Sequence, residues 1–341
     1  MRRTMICGTG RYVPPRVVTN EDLAQWMDTS DEWIRQRTGI KERHWIDDDG
    51  GVGASDLGLA ATKKALDKAG WQPEDINLII FATMTPDIFL PGSGCFLQQK
   101  LGLKETPALD IRQQCTGFLY GIELADAYIR SNVYKRILFV GAEVQSTGLE
   151  RATSGRDISV IFADGAAAVC LEGREGSADE GFLTSKVHAD GRLIDKLMLE
   201  APASRENPRI SIKMLEEGRH LPIMDGRTIF KKAVVLLPKV TYKVLQKAGV
   251  QKEDVDLYIP HQANMRINQA FQQAMDLPEE KVFHNIQRYG NTTAATIPLA
   301  LDEALEMGRV GPGSLICFLG LGAGVTWGAS LYRFPALSNK G

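Results

Sequence analysis

The chain has 341 residues, enough to bury one large core or two ordinary ones. It is 44% hydrophobic and 24% charged with a formal net charge of -2, which excludes a disordered chain and gives no global attraction for nucleic acid or a membrane surface. Its five cysteines (Cys7, Cys95, Cys115, Cys170, Cys317) are odd in number, scattered and without a C-x-x-C pair, which argues against a disulfide framework and a zinc site. Free thiols fit a reducing compartment. The opening MRRTMICGTGRYVPP lacks the apolar stretch of a signal peptide, and no later run has the length of a membrane helix, so a cytoplasmic location is expected.

In chain order, the first informative stretch is TSDEWIRQRTGI (29–40), where Ser30 followed by Asp31 and Glu32 marks a helix start. Trp33 and Arg37 then lie one turn apart on one face, where an indole and a guanidinium can sandwich a purine. A tryptophan anchoring a surface helix beside a solvated arginine has the same pattern. Next comes LDKAGWQPEDINLII (66–80), a helix ending in Ala-Gly followed by an apolar strand. Pro107 to Ile111 reads as a short buried strand, after which Phe118, Ile122, Ala125 and Ile129 recur at helical spacing. Cys115 therefore falls where a strand hands over to a helix. The unpaired N–H groups and the positive dipole end of a helix lower a thiol's pKa and make it a better nucleophile, although a free cysteine is also a common inert core residue.

The strand-like ILFVG (137–141) follows, and then the glycine-rich, charged EGREGSADEG (172–181), which marks a seam. Beyond it the chain repeats itself. LQKAGVQKEDVDLYI (245–259) matches residues 66–80 without a gap at an offset of 179, nine of fifteen positions being identical, and ICFLG (316–320) matches ILFVG at the same offset. Two similar α/β halves follow, 1–175 and 176–341, packed about a pseudo-twofold axis that brings equivalent junctions together. His261, in IPHQAN, follows the strand duplicated from 77–81, and Asn291, in YGNTTAATIPLALDEAL (289–305), lies at the junction three residues short of the position equivalent to Cys115. Each alone is equally a turn or strand-end residue, but three chemically capable side chains at strand ends of one core form a candidate site.

At this point the chain resembles the β-ketoacyl-acyl carrier protein synthases III of the thiolase superfamily, from GTGRYVPP near the start to GAGVTWGASLYRF near the end. The most specific pieces are TSDEWIRQRTGI, QCTGFLYG (114–121), PHQANMRI (260–267) and GNTTAATIP (290–298). The resemblance implies a five-layered αβαβα fold, a homodimer, and the catalytic residues Cys115, His261 and Asn291. It also implies a decarboxylative Claisen condensation between an acyl-CoA and malonyl-acyl carrier protein, with no metal or organic cofactor. Cys115 would carry the acyl thioester, His261 and Asn291 would stabilise the malonyl-derived enolate, and backbone N–H groups of Cys115 and Ala323 would hold the tetrahedral oxyanion. By the same resemblance Thr29, Trp33, Arg37 and Arg156 contact the CoA nucleotide, and Phe230 and Asn264 line the pantetheine tunnel. Acyl carrier proteins are acidic, so a basic rim is expected, with Lys231, Lys232 and Arg266 as candidates on or beside a helix that Pro238 should kink or stop.

Other readings fit less well. Papain-like proteases use the same three residue types in the same order, but the chain lacks their C-G-S-C-W signature, and a degradative thiolase would want a second cysteine in the glycine loop at 320–324. The glycines there are followed by VTWGASLYRF, a strand–turn–strand pattern with no helix to receive a pyrophosphate. A catalytically dead scaffold would have no use for all three reactive types. Four positions depart from the family's housekeeping members: Arg227 replaces an asparagine, Gln113 and Gln114 replace small residues, and Leu90 replaces a phenylalanine that reaches the partner subunit's acyl pocket. These departures leave the starter group open and admit a paralogue that condenses a medium-chain or aromatic thioester.

Overall fold

The computed structural model describes residues 1–336; the last five residues of the expected C-terminal half lie outside them. One sheet is built from β1 (Arg2–Tyr12), β2 (Leu78–Ala82), β3 (Ala108–Ile111), β4 (Arg136–Glu143) and β5 (Gly165–Glu175), in the order β1-β5-β4-β2-β3. The second uses β6 (Gly181–Ala189), β7 (Leu257–Pro260), β8 (Leu315–Gly322) and β9 (Thr326–Arg333), in the order β7-β8-β9-β6. In each, the strand that follows the Ala-Gly helix end pairs in parallel with the next long strand, β2 with β4 and β7 with β8, while the remaining partners of those long strands, β5 and β9, run antiparallel. The offset of 179 carries through to three dimensions. It takes the start of β1 to the start of β6, β4 onto β8 end for end, and the short turn Gln114–Thr116 onto Thr293–Ala295.

Six helices complete the frame: α1 (Asp31–Thr38), α2 (Ala54–Ala69), α3 (Gly117–Arg130), α4 (Gly226–Ala248), α5 (Met265–Ala274) and α6 (Thr296–Glu306). Three apolar clusters separate the layers. Residues of α2 pack on the outer face of the first sheet, residues of α4 and α5 on the outer face of the second, and α3 with α6 fill the space between the sheets. This is the expected five-layered order. At its centre Phe118 is fully buried and meets Phe139 and Phe318 edge-on, with ring centroids 5.2 and 5.3 Å away. Those two phenylalanines are duplicates of one another on β4 and β8, so one ring from α3 keys both sheets. Around the site a cap formed by α1 and residues 149–162 is tied down by the fully buried Arg43, whose guanidinium donates to Val18 O, Asn20 Oδ1 and Val160 O.

Two expectations need correction. Residues 108–111 do form a strand, but β3 is the edge of its sheet and only half-buried, with Asp110 exposed. Its apolar pattern reflects one covered face. Pro238 does not end its helix: α4 runs for 23 residues through it, because the flanking Leu237, Val240 and Val244 are buried against the second sheet and outweigh one lost backbone hydrogen bond. Among the described residues no helix is long and apolar enough to cross a membrane.

Truncating the shared ring tests this frame. Phe118→Ala is expected to cost about 3–5 kcal/mol in denaturant unfolding, the range for removing a fully buried phenylalanine; a loss below about 1 kcal/mol would mean that the sheets do not depend on it.

Candidate active site

Cys115 sits in the tight turn Gln114–Thr116 just ahead of α3. The preceding Gln114 has φ 44°, a left-handed conformation that non-glycine residues rarely adopt, and Thr293 at the duplicated position has φ 51°. The strained residue turns the following side chain toward the end of β8. There the backbone passes so close that a Cβ on Gly322 would lie 2.8 Å from Cys115 Cβ. A Cβ on Gly320 would likewise lie 3.2 Å from His261 Cβ, so the glycines of this strand make room for both reactive side chains. The backbone N–H groups of Cys115 and Ala323 lie near enough to the Cys115 sulfur to favour its thiolate.

His261 follows β7, and its backbone N–H continues the ladder to Leu319 O at 2.7 Å. Its Nδ1 lies 2.6 Å from Thr296 Oγ1, and its Nε2 is buried without a protein partner. Thr296 Oγ1 is also 3.1 Å from Thr293 O. The hydroxyl proton can serve that carbonyl or Nδ1, so one contact supports either ring tautomer. Asn291 is pinned on both sides, its N–H donating to Ile161 O and its carbonyl accepting from Ala163 N–H. Its Oδ1 accepts from Thr293 N–H at 2.8 Å, which leaves the Nδ2 amide as the free donor.

All three residues line one cavity of about 660 Å³. Trp33, Arg37, Phe230, Lys231, Asn264 and Arg266 line the same space, as does Arg227. Arg156 and Thr29 do not line it: Arg156 lies over the ring of the lining residue Trp33 and reaches Asp28 O at 2.6 Å, and Thr29 Oγ1 is buried without a partner. Ala323 borders the cavity through its neighbour Gly322. Ser30 caps α1 as expected, accepting from Trp33 N–H, and Asn264 caps α5 while its amide donates to Arg37 O. Lys232 is half-buried and does not line the cavity.

Leu90, expected in the partner subunit's pocket, lies outside this chain's own cavity and is 80% exposed on a loop next to the edge strand β3. The structure departs from expectation at two points. The Arg37 guanidinium already lies on the Trp33 ring, 4.1 Å from its centroid, with Arg156 at 4.6 Å, so the expected slot for a purine between Trp33 and Arg37 is closed. The second concerns the thiol. Burial, reinforced by the negative charge of Glu143, pushes Cys115 up to about 12 although its own N–H and that of Ala323 pull the other way. Two aligned N–H groups do not offset complete desolvation. Burial likewise lowers His261 to about 3. The resting pair is therefore neutral thiol and neutral imidazole, so a thiol acting here as nucleophile would need a proton acceptor at the moment of attack.

Sequence reasoning missed two residues here. Thr296 orients His261, and its position one turn past Asn291, equivalent to Gly117, gave a usable signal. Glu143 ends β4 inside an apolar strand, and no motif distinguishes it.

Residues 109–191 match the family model of 3-oxoacyl-[acyl-carrier-protein] synthase III, and residues 245–334 match the model of its C-terminal part. The beta-ketoacyl-[acyl-carrier-protein] synthase III of Geobacillus kaustophilus is 44% identical over 329 residues, 96% of this chain and 98% of its own. The crystal structure of 3-oxoacyl-[acyl-carrier-protein] synthase III from Aquifex aeolicus superposes with a TM-score of 0.88 at 41% identity, covering 97% of this chain and all of that one. The priming β-ketosynthase of the R1128 polyketide pathway superposes with a TM-score of 0.87 at 28% identity, covering 98% of this chain and 97% of its own. Fold and matches together define the class, a thiolase-fold condensing enzyme that transfers acyl groups. Within that class the chain belongs to the 3-oxoacyl-[acyl-carrier-protein] synthase III family.

The neutral state of His261 has a measurable consequence. Its folded pKa lies below the ordinary value of 6.5, so the stability it contributes is complete above pH 6.5 and is lost as pH falls toward 3. Urea unfolding of the wild type should weaken on acidification from neutrality, and His261→Asn should flatten part of that slope. Equal slopes in the two proteins would mean that His261 is not held neutral.

Proposed function

We propose that this enzyme joins an acyl-CoA starter to malonyl-acyl carrier protein, releasing CoA and carbon dioxide and leaving a β-ketoacyl-acyl carrier protein for fatty-acid synthesis. The observation that carries the reading is that one cavity holds the Cys115 thiol, the free Nε2 of His261 and the free amide of Asn291.

In the first half-reaction the Cys115 sulfur bonds to the acyl carbon while its proton passes to His261 Nε2. The oxyanion lies against the N–H groups of Cys115 and Ala323. Collapse breaks the bond to the CoA sulfur, which leaves as the thiol with the proton from His261. In the second half-reaction the malonyl carboxylate leaves as carbon dioxide, and the electron pair moves into an enolate whose oxygen accepts hydrogen bonds from His261 Nε2–H and Asn291 Nδ2–H. The enolate carbon then bonds to the acyl carbon and expels the Cys115 thiolate, which takes up one proton from solvent to restore the resting thiol. His261 is thus an acceptor first and a donor second, and the Thr296 hydroxyl is suited to both because it can turn between Nδ1 and Thr293 O.

The long cavity fits pantetheine, with Phe230 and Asn264 along it, and the cations Arg37 and Arg156 at its mouth fit the phosphates and purine of CoA. Lys231, Arg266 and Arg227 give that mouth the positive charge that would attract an acidic carrier protein. We further propose a homodimer working in the cytoplasm. Its support is the run Ile88, Phe89 and Leu90, exposed at 50, 64 and 80% beside the unpaired edge of β3, an apolar surface that a second copy would cover.

Intact-protein mass spectrometry separates the steps. Incubation with a reactive acyl-CoA should add one acyl mass to the wild type and none to Cys115→Ala, whereas Asn291→Ala should still acylate but release no carbon dioxide from malonyl-acyl carrier protein. Labelling that persists in Cys115→Ala, or that maps to Cys95 or Cys317, would overturn the nucleophile. Equal loss of both steps in Asn291→Ala would make that residue structural.

Starter size follows from Leu90. If a second copy places it in the acyl pocket, a branched aliphatic replaces a rigid ring, and each further methylene buried there contributes up to about 0.8 kcal/mol. Medium-chain or bulky acyl-CoA should then show higher kcat/KM than acetyl-CoA, with Leu90→Phe shifting the preference back toward acetyl. A series in which acetyl-CoA is fastest and the substitution changes nothing would reject the enlarged pocket.

A further inference from the structure

The duplication gives the oxyanion hole a counterpart. The offset takes Cys115 to Ala294 and Ala323 back to Val144, so the two N–H groups of the hole in one half correspond to those of Ala294 and Val144 in the other. In this second hole the groups are already occupied. The Val144 N–H donates to Thr85 Oγ1 at 2.9 Å, and the Ala294 N–H lies near enough to the carboxylate of Glu143, the residue equivalent to Gly322, to favour its charged form. Thr85 Oγ1 in turn donates to Glu143 Oε2 at 2.7 Å. The same carboxylate accepts from Thr83 Oγ1 at 3.1 Å and from the Met84 and Thr85 N–H groups at 3.2 and 3.1 Å. Glu143 has no solvent exposure, and the condensation steps make no use of it.

A carboxylate so held joins two parts of the site. On one side is the segment Thr83–Thr85 that leaves β2 and leads to Leu90. On the other is the turn around Ala294, which carries Asn291 before it and Thr296 after it. The next side chain but one along the strand end, Gln145, reaches that turn as well, its amide donating to Thr293 Oγ1 at 2.8 Å.

We propose that Glu143 is a positioning residue for the condensation, a built-in anion that fills the second hole, fixes the turn bearing Asn291 and Thr296, and sets the electric field at Cys115. The groups that face it are Thr83, Met84 and Thr85 from the segment after β2, Ala294 from the turn before α6, and Cys115 from the turn before α3. Of these only Cys115 titrates. Burial holds the thiol in its protonated form and the negative charge of Glu143 adds to it, and burial brings Glu143 itself up to about 7, so that added field changes close to neutral pH.

The inference rests on Cys115 as the acylated residue, and its test is kept separate from that reading by mapping the alkylated peptide in the wild type. Glu143→Gln keeps the shape, removes the charge and turns an amide NH2 toward backbone donors. Two rates should then move in opposite directions. Iodoacetamide should modify Cys115 faster at neutral pH, with the pH midpoint of alkylation displaced downward, while decarboxylation of malonyl-acyl carrier protein falls about tenfold or more because the turn is no longer fixed. Glu143→Asp, which retains the charge, should keep the alkylation midpoint near that of the wild type. An unmoved midpoint in Glu143→Gln, or both rates falling together with a lowered Tm, would overturn the proposal. If Glu143→Gln does not fold, Thr85→Val removes one donor to the carboxylate and should move the same two rates in the same opposite senses by less; two unmoved rates there would reject it. Alkylation at a cysteine other than Cys115 in the wild type would instead reject the nucleophile.

Discussion

Everything in this molecule depends on how closely two duplicated helix starts meet between the sheets. A Cβ on Gly117, the first residue of α3, would lie 3.0 Å from Ala82 Cβ and 3.1 Å from Ala294 Cβ, and one on Gly141 would lie 2.7 Å from Ala294 O. Only small side chains fit where the halves touch. That contact brings the two strained turns together, and with them the positive ends of α3 and α6. Two positive helix ends side by side repel, and each is compensated in its own way. One faces the cavity lined by Cys115, where the proposed reaction would place its transient oxyanion; the other faces a carboxylate.

The division of labour within the duplication follows from this asymmetry. Equivalent backbone positions have the same geometry in both halves, down to the left-handed φ values of Gln114 and Thr293, yet they carry different side chains. Cysteine stands where the second half has alanine, and glycine where the first half has glutamate. A glutamate at 322 would collide with Cys115, and a glycine at 143 would leave the Ala294 N–H without its acceptor. The duplicated scaffold thus offers two anion sites, and substitution at two or three positions leaves one of them open.

The sequence made the architecture readable because its strongest signal, the ungapped match at 179, reports backbone layout directly. The three candidate residues that line one cavity stood out for a related reason: Cys115, His261 and Asn291 all stand at strand ends or junctions, where a change of periodicity marks the place. The ionisation of Cys115 was not readable, since the sequence shows the helix end but not the depth of burial that outweighs it. Nor was Glu143. An acidic residue closing an apolar strand looks like an exposed strand terminus, and only the path of the 83–85 segment reveals that it is enclosed. The exposed edge of β3 escaped for a similar reason, because a half-covered strand of four residues has the same apolar pattern as a buried one.

The stack of Arg37 and Arg156 against Trp33 has a thermodynamic consequence. A planar ligand that settles on that indole does not meet bare water-exposed surface; it exchanges with a side chain already there. The free energy registered at the mouth is therefore the difference between two stacking contacts, and it is small whichever ligand arrives. Discrimination then falls to the deeper, narrower part of the cavity, where no internal stand-in competes. A molecule whose planar group settles on the indole but whose tail does not fit below gains little hold there and leaves readily.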